Sequence, residues 1–297
     1  MPDQPPQTSD AIEVFITSLR QRSVPVNTIK SYAHDLRLFV QYVPADLPAV
    51  THETVQAFLA SFSHLSAATR RRRSSTLCAF YHWLIRHGVV EINPMERLDS
   101  IEQVEREPRP LPPETVTKIL RAIPASNLRD RTLFTLLYET GIRVGEALGL
   151  LATEVDLSTD DEKIRVFGKG RRERTVMLTA APESVRLLRR HLKQSHITSG
   201  SVFRGDPRYG GSPLPLEYSV AHYAWQKYCR SAEVQATIHQ LRHSRASQLL
   251  QAGVPVTTVR KQLGHRNIKS TLLYAEVDQA TIKQDLLRYQ RRKGKRQ

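Results

Sequence analysis

Apolar side chains in the first third of the chain recur at the three- and four-residue spacing of amphipathic helices. Ser9 or Asp10 is a suitable cap for the first helix, and Gly88 is suited to end the last. We therefore expect a small all-helical domain at residues 9–96, after a polar leader at residues 1–8. Its predicted helices run from about Ala11 to Arg20, from Asn27 or Thr28 to Tyr42, from Thr51 to Phe62 and from Ser66 to Arg86.

A proline-rich segment then interrupts the helical spacing. Four prolines fall between Pro108 and Pro113, where they favour extended backbone and prevent a helix from continuing. We interpret residues 97–112 as a linker between two domains.

Beyond the linker the helical spacing resumes around one segment that alternates with a period of two. Lys163 to Phe167 and Thr175 to Leu178 are predicted to be strands, joined by a turn at Gly168-Lys169-Gly170. The fold class is therefore mainly α with a small β-sheet: a mixed α/β domain at 113–290 follows the helical one, and a basic tail occupies 291–297. The other predicted elements are helices at 113–123, 128–139, 144–151, 182–193, 216–229, 239–251, 257–263, 269–274 and 279–289.

Charged residues are distributed unevenly along the chain. The chain has 44 basic and 29 acidic residues, giving a net charge of +15. Of these, 11 basic and 12 acidic residues lie up to Glu107, against 33 and 17 from Pro108 onward. The basic second part indicates a polyanionic partner, either nucleic acid or an acidic membrane. Within the first part, the consecutive Arg70, Arg71, Arg72 and Arg73 lie in a stretch without acidic residues, and we predict that they contact phosphate.

Cysteine usage and hydropathy bear on the compartment. Cys78 and Cys229 are far apart in helix-like apolar contexts, which argues against a disulfide framework and a thiolate metal cluster. The sequence lacks an apolar run long enough to span a membrane, and its start lacks the order of a secretory signal. We expect a soluble cytoplasmic protein with no membrane partner.

The residue types that can do chemistry cluster in the second domain. His239, Arg242 and His243 are three and four positions apart on a predicted helix, so they project from one face. Arg143 follows Gly141 at a helix junction, where the exposed N–H groups of the next helix favour an anion. An imidazole and guanidinium cluster of this kind suits a phosphate group.

Zinc hydrolysis is a rival interpretation, because His239 and His243 have the spacing of the HExxH metalloprotease helix. That helix needs a glutamate as general base, and Gln240 stands in its place. Arg242 would also place a positive charge beside the cation. The sequence therefore argues against a metal.

Four short motifs stand out in the second domain: Thr140-Gly141-Ile142-Arg143-Val144-Gly145-Glu146, Gly168-Lys169-Gly170, His239-Gln240-Leu241-Arg242-His243, and Leu263-Gly264-His265 with Tyr274. Taken together, in order and spacing, they resemble the motifs of the tyrosine recombinases, the family of phage integrases and Xer-type and transposon-borne resolvases. The resemblance covers the whole chain, because that family carries a helical core-binding, SAM-like domain ahead of its catalytic domain. Ala147, Ile238 and Ser270 depart from the usual pattern, but none of them removes a reactive group.

The resemblance implies a role for each matching residue. Tyr274 would be the nucleophile that forms a 3′-phosphotyrosyl bond, and His239 would accept its proton. Arg143, Arg242 and His265 would stabilise the charge on the scissile phosphate. Three further roles are implied or expected: Lys169 as general acid for the leaving oxygen, Glu146 as support for Arg143, and Arg171 and Arg172 as DNA contacts.

The resemblance also implies an assembly that recombines double-stranded DNA at a specific site. A homotetramer would act on two such sites through a four-way junction without metal, ATP or any other cofactor, and an accessory protein or a second recombinase could take part. Two other functions stay open at this point: a non-catalytic DNA-binding regulator and a type IB topoisomerase.

Overall fold

The structure is a computed structural model that describes residues 7–43, 47–98, 109–168, 173–205 and 214–264. The chain divides into two compact units between Arg106 and Glu107. Several predicted features lie outside the described residues: most of the leader and the linker, the helices at 269–274 and 279–289, and the basic tail.

The first unit contains the four predicted helices, α1 Thr8–Gln21, α2 Val26–Val40, α3 His52–Ala60 and α4 Ala67–Arg86, and a 3₁₀ turn at Leu47–Ala49. The Thr51 and Ser66 side chains accept hydrogen bonds from the backbone at the starts of α3 and α4.

Two predicted helix starts in this unit were wrong. Helix α1 begins after Gln7, whose carbonyl accepts from the N–H groups of Asp10 and Ala11, so Ser9 and Asp10 lie inside the first turn. Helix α2 begins after Pro25, whose φ of −55° is already close to the helical value. The backbone therefore initiates both helices without a side-chain cap.

Aromatic side chains fill the core of the first unit. Phe15 packs against Phe80 with ring centroids 5.4 Å apart, and Phe39 packs edge-on against Phe58 at 5.1 Å. All four rings are buried. The first contact joins α1 to α4 and the second joins α2 to α3. Phe39 also packs edge-on against Tyr81 of α4, so the four helices share one core.

The second unit contains seven helices among the residues that the structure describes: α5 Pro113–Arg121, α6 Leu128–Thr140, α7 Val144–Leu148, α8 Pro182–Gln194, α9 Tyr218–Ser231, α10 Ile238–Gln251 and α11 Val256–Leu263. Each one was predicted. None of the helices in the described ranges is long and apolar enough to cross a membrane.

The sheet has three antiparallel strands in the order β1 Val155–Asp156, β2 Lys163–Phe167 and β3 Glu173–Met177. The predicted hairpin is confirmed, with Ile164 opposite Val176 and both buried in the core. Strand β1 was not predicted, because two residues are too few to show a periodicity. Residues 169–172, which join β2 to β3, lie outside the described residues.

Helix α6 organises the second unit. It packs against α8 and α10, and nearly all of its apolar residues are buried. It ends at Gly141, whose φ of +67° is in the left-handed region that favours glycine. The chain turns there and enters α7 at Arg143, so this turn positions the first candidate residue of the site.

Candidate active site

Arg143 lies at the start of α7 and is held by a carboxylate one turn later. Its backbone N–H donates to Glu146 Oε2 at 2.7 Å, and its guanidinium Nη1 donates to Glu146 Oε1 at 3.0 Å. Glu146 is buried, whereas 44% of the Arg143 side chain is exposed. The Arg143 guanidinium is therefore held in place by Glu146 and still partly exposed to solvent.

Arg174 on β3 holds the same carboxylate from the other side. Its Nη1 and Nη2 donate to the two Glu146 oxygens at 2.7 and 2.8 Å, in the paired geometry that makes arginine–carboxylate contacts strong. Arg174 was not predicted from the sequence. The period-two pattern of β3 could have indicated it, because Arg174 lies on the same core-facing side of the strand as Val176. A charge on that side needs a buried partner.

Opposing effects act on the Glu146 carboxyl. Burial by itself would raise the pKa of Glu146, but the hydrogen bonds from Arg174 and from the Arg143 N–H outweigh it and lower that pKa. The carboxylate is therefore ionised at neutral pH. It balances part of the positive charge of Arg143 and Arg174 without closing the exposed face of Arg143.

Arg242 on α10 contacts the turn at Gly141 that leads to Arg143. It is buried, and its Nη1 donates to the Gly141 carbonyl at 2.7 Å. Gly141 has little room, because a Cβ there would overlap Leu263 Cδ2 and lie 3.3 Å from Arg245 Cβ. The absence of a side chain at Gly141 thus lets α10, α11 and the Arg143 turn meet.

The imidazole rings of His239 and His243, both on α10, pack edge to face with their centroids 4.5 Å apart. His239 keeps one exposed side, and partial burial together with the charges of Arg242 and Arg143 lowers its pKa. Burial, His239 and Arg242 lower the pKa of His243 to about 4. Both imidazoles are therefore neutral at pH 7, and a neutral imidazole can accept a proton.

The end of α11 is fastened to the same cluster. Arg143 Nη2 donates to the Gly264 carbonyl at 3.2 Å, and Arg174 Nε donates to the Gln262 carbonyl at 3.3 Å. The Gln262 side chain in turn donates to the Met177 carbonyl on β3 at 2.8 Å. The chain therefore leaves the site at Gly264, immediately before His265.

The structure brings Arg143, Glu146, Arg242 and His239 together, as the sequence predicted. The other candidate residues of this domain, Lys169, Arg171, Arg172, His265 and Tyr274, lie outside the described residues and stay predictions.

A metal centre finds little support at this cluster. Among the described residues, there is no group of three or more His, Cys, Asp or Glu side chains that could hold a metal ion. Two positive charges, those of Arg242 and Arg143, act on His239. The acidic residue of the cluster, Glu146, already accepts from both Arg143 and Arg174.

The arginine run of the first unit is not uniformly exposed. Arg73 is buried, with its guanidinium carbon 3.6 Å from the centre of the Phe62 ring and its Nε 3.5 Å from Asp35 Oδ1. Arg72 forms an ion pair with the other Asp35 oxygen. A phosphate contact by Arg73 is therefore inconsistent with its burial, because Asp35 and Phe62 already surround its charge. For Arg70, Arg71 and Arg72 the DNA contact stays a prediction.

Comparison with known proteins identifies the family of this chain. The model of the phage integrase family matches residues 109–281, and that of the phage integrase N-terminal SAM-like domain matches residues 12–88. The tyrosine recombinase XerC of Listeria monocytogenes is 30% identical over 91% of this chain and 93% of its own length. The chain belongs to the tyrosine recombinases. Its activity is the site-specific exchange of DNA strands.

Other relatives and solved structures agree with this tyrosine recombinase assignment. The tyrosine recombinase XerD of Ralstonia nicotianae is 28% identical over 92% of this chain and 91% of its own. A post-cleavage complex of the XerH recombinase with a palindromic difH substrate has a TM-score of 0.73 at 21% identity, covering 94% of this chain and 84% of that one. A lambda integrase dimer bound to a COC′ core site has a TM-score of 0.72 at 16% identity, covering 89% and 97%. At these identities the two structures show a shared fold.

Proposed function

We propose that this tyrosine recombinase cleaves DNA through Tyr274, with Arg143 and Arg242 holding the scissile phosphate. The observation that carries the proposal is the exposed guanidinium of Arg143, which Glu146 and the Gly264 carbonyl fix in place. A donor fixed before the reaction stabilises the charge of the transition state without reorganising, and its loss typically costs about 100- to 1,000-fold in rate. Arg242, bound to the carbonyl of the same turn, is the second such donor.

His239 is the proposed base for the Tyr274 hydroxyl. A phenol with a pKa of about 10 is a weak nucleophile at neutral pH and needs a proton acceptor. His239 is suited to this role because its lowered pKa leaves the imidazole neutral at pH 7. We expect cleavage to slow as the pH falls through this lowered pKa, because the protonated imidazole accepts no proton.

The remaining roles concern residues outside the described ranges. Lys169, in the segment that joins β2 to β3, is the proposed acid for the 5′-oxygen that leaves. His265 follows Gly264 directly and is the proposed third donor to the phosphate. Arg171 and Arg172 are proposed DNA contacts. The phosphotyrosyl bond retains the energy of the broken phosphodiester, so a second 5′-hydroxyl can reseal it without a cofactor.

We also propose that four protomers act on two double-stranded DNA sites. A lambda integrase tetramer bound to a Holliday junction has a TM-score of 0.72 with this chain, covering 92% of it, and this likeness in fold supports the proposal. Light scattering of the protein on its cleaved site should give the mass of four chains and two duplexes. A second recombinase or an accessory protein would be required if the purified chain cleaves its site but forms no such complex.

A nicked suicide duplex tests the nucleophile. Duplexes with randomised arms are incubated with the protein, and adducts that survive denaturant are isolated and sequenced to give the site. Wild type should link to the 3′ end of the cleaved strand, and Tyr274→Phe should give no adduct. Tyr223→Phe is the matched control, because Tyr223 lies exposed on α9. An adduct with Tyr274→Phe, or none with wild type, would overturn the proposal.

The same assay separates the alternatives. Relaxation of supercoiled plasmid regardless of sequence would identify a type IB topoisomerase. Tight DNA binding without any adduct would identify a non-catalytic regulator.

A further inference from the structure

Arg174 is a charged residue for which the proposed reaction has no role. It is the second residue of β3, close in sequence to Lys169, and only 16% of its side chain is exposed. An arginine this deep gains little from water, so its contacts must account for its position.

Those contacts join three separate elements. The Arg174 guanidinium binds both oxygens of Glu146 on α7, and its Nε donates to the Gln262 carbonyl on α11. Gly264 packs against the face of this guanidinium, because a Cβ built on Gly264 would lie 2.7 Å from Arg174 Cζ and Nε. One planar side chain thus bridges the β2–β3 hairpin, the Glu146 carboxylate and the end of α11.

We infer that Arg174 is a positioning residue for strand cleavage, which holds the Arg143 guanidinium and the chain leaving α11 in register with the β2–β3 hairpin. The inference rests on the proposed function, because it takes Arg143, Lys169 and His265 as the groups to be aligned. Arg174 acts through Glu146 and α11 and does not itself touch the phosphate.

The geometry explains why an arginine is needed. Two parallel hydrogen bonds to Glu146 use both terminal nitrogens, and Nε remains for Gln262. A lysine ammonium is a compact donor that cannot span these three acceptors at once. Lysine at this position would keep the charge beside Glu146 and lose the link to α11.

Single-turnover cleavage of the adduct-forming duplex, with protein saturating, measures the effect on the chemical step. Arg174→Met should slow adduct formation about 100-fold, the cost of displacing a reacting group by about 1 Å. Arg165→Met is the matched control, because Arg165 lies on the neighbouring strand β2 with its side chain half exposed and directed away from Glu146. Arg165→Met should cleave at close to the wild-type rate. In Arg174→Met the DNA affinity, measured separately by gel shift, should change far less than the rate.

The pH dependence separates positioning from simple packing. Without Arg174 the buried Glu146 loses the strongest group that lowers its pKa, so its carboxyl protonates at a higher pH. The acid limb of the cleavage profile should therefore move to higher pH in Arg174→Met and return toward wild type in Arg174→Lys. In a Glu146→Gln background, Arg174→Met should cost less than it does in wild type, because only the hydrogen bond to Gln262 is left to lose. A uniform loss at every pH, additive with Glu146→Gln, contradicts the inference.

Hydrogen exchange provides a readout that does not depend on cleavage. The Arg143 amide is bonded to Glu146, and the Gly264 amide to the Arg260 carbonyl. Both should exchange faster in Arg174→Met and at the wild-type rate in Arg165→Met; equal rates in all three proteins overturn the inference. If wild type forms no adduct, the proposed function fails while exchange still decides whether Arg174 joins these elements. If wild type forms adducts and Arg174→Met does so equally fast, only this inference fails.

Discussion

Each unit of this recombinase contains one buried carboxylate between two arginines, and the two clusters serve different ends. In the first unit Asp35 on α2 meets Arg72 and Arg73, which are neighbours on α4. In the second unit Glu146 on α7 meets Arg143 at the start of the same helix and Arg174 on β3. The Asp35 cluster fastens one helix to another.

The Glu146 cluster does more, because its arginines arrive from different elements and also hold α11. One arginine in each cluster is largely buried, Arg73 and Arg174, and one remains at the surface, Arg72 and Arg143. Arg143 differs from Arg72 in lying at a helix start, close to the neutral imidazole of His239 and to Arg242. The same ion-pair chemistry therefore stabilises a core in one unit and presents a guanidinium in the other.

The largest effect should follow removal of the Asp35 charge. Asp35→Asn leaves the buried Arg73 without a counter-charge, and breaking a buried pair in this way costs about 3 to 5 kcal/mol of unfolding free energy. Thermal and denaturant unfolding measure this loss. Cleavage by the protein that remains folded should stay near the wild-type rate. A loss of cleavage without a loss of stability would contradict a purely structural role for the Asp35 cluster.

The opposite result is expected at the other cluster. Arg143→Met should reduce the rate of adduct formation about 100- to 1,000-fold, because a preorganised phosphate donor is lost. Its Tm should change little, because the side chain is 44% exposed and Arg174 still neutralises Glu146. Arg73→Met is the crossed control: it should lower the Tm and spare the rate of the folded protein.

Two glycines with the same φ of +67° sharpen the contrast between the units. Gly88→Ala adds a Cβ into open space, so it should cost only the left-handed backbone strain, about 1 to 2 kcal/mol. Gly141→Ala carries the same strain and also overlaps Leu263. It should destabilise more than Gly88→Ala in denaturant unfolding and slow cleavage as well. Equal effects at both positions would show that the Leu263 contact relaxes freely.

The effect that is smallest near neutral pH concerns His243, because it appears only below pH 6.5. The folded state lowers the pKa of His243 to about 4, so the unfolded chain binds the extra proton between pH 6.5 and 4. Stability contributed by the neutral His243 is thus present above 6.5 and falls toward 4, by at most about 1.4 kcal/mol per pH unit. His243→Gln should flatten the measured curve, with the exposed His222→Gln on α9 as matched control. An unchanged slope in His243→Gln would contradict this account.

The helices were predictable because their signals are local. Thr51 and Ser66 cap the helices that follow them, Pro113 begins α5, and Gly141 ends α6, and each of these effects acts within one turn of the chain. The grouping of Arg143, Glu146, His239 and Arg242 was also predicted, although from the likeness of four motifs to a family. Spacing alone brings together only residues of one helix, such as His239 and Arg242.

The ion pairs between residues far apart in the chain could not be predicted from the sequence. Arg174 and Glu146 are 28 positions apart and Arg72 and Asp35 are 37 apart, separations at which no periodicity applies. Four consecutive arginines appear equivalent in a sequence, yet the rotation of α4 buries Arg73 on Phe62. The amino-acid order determined the helices, the turns and the reactive groups, because these depend on near neighbours. Tertiary packing alone decided which arginines became structural and which one faces solvent, because a buried charge takes its partner from whichever element lies beside it.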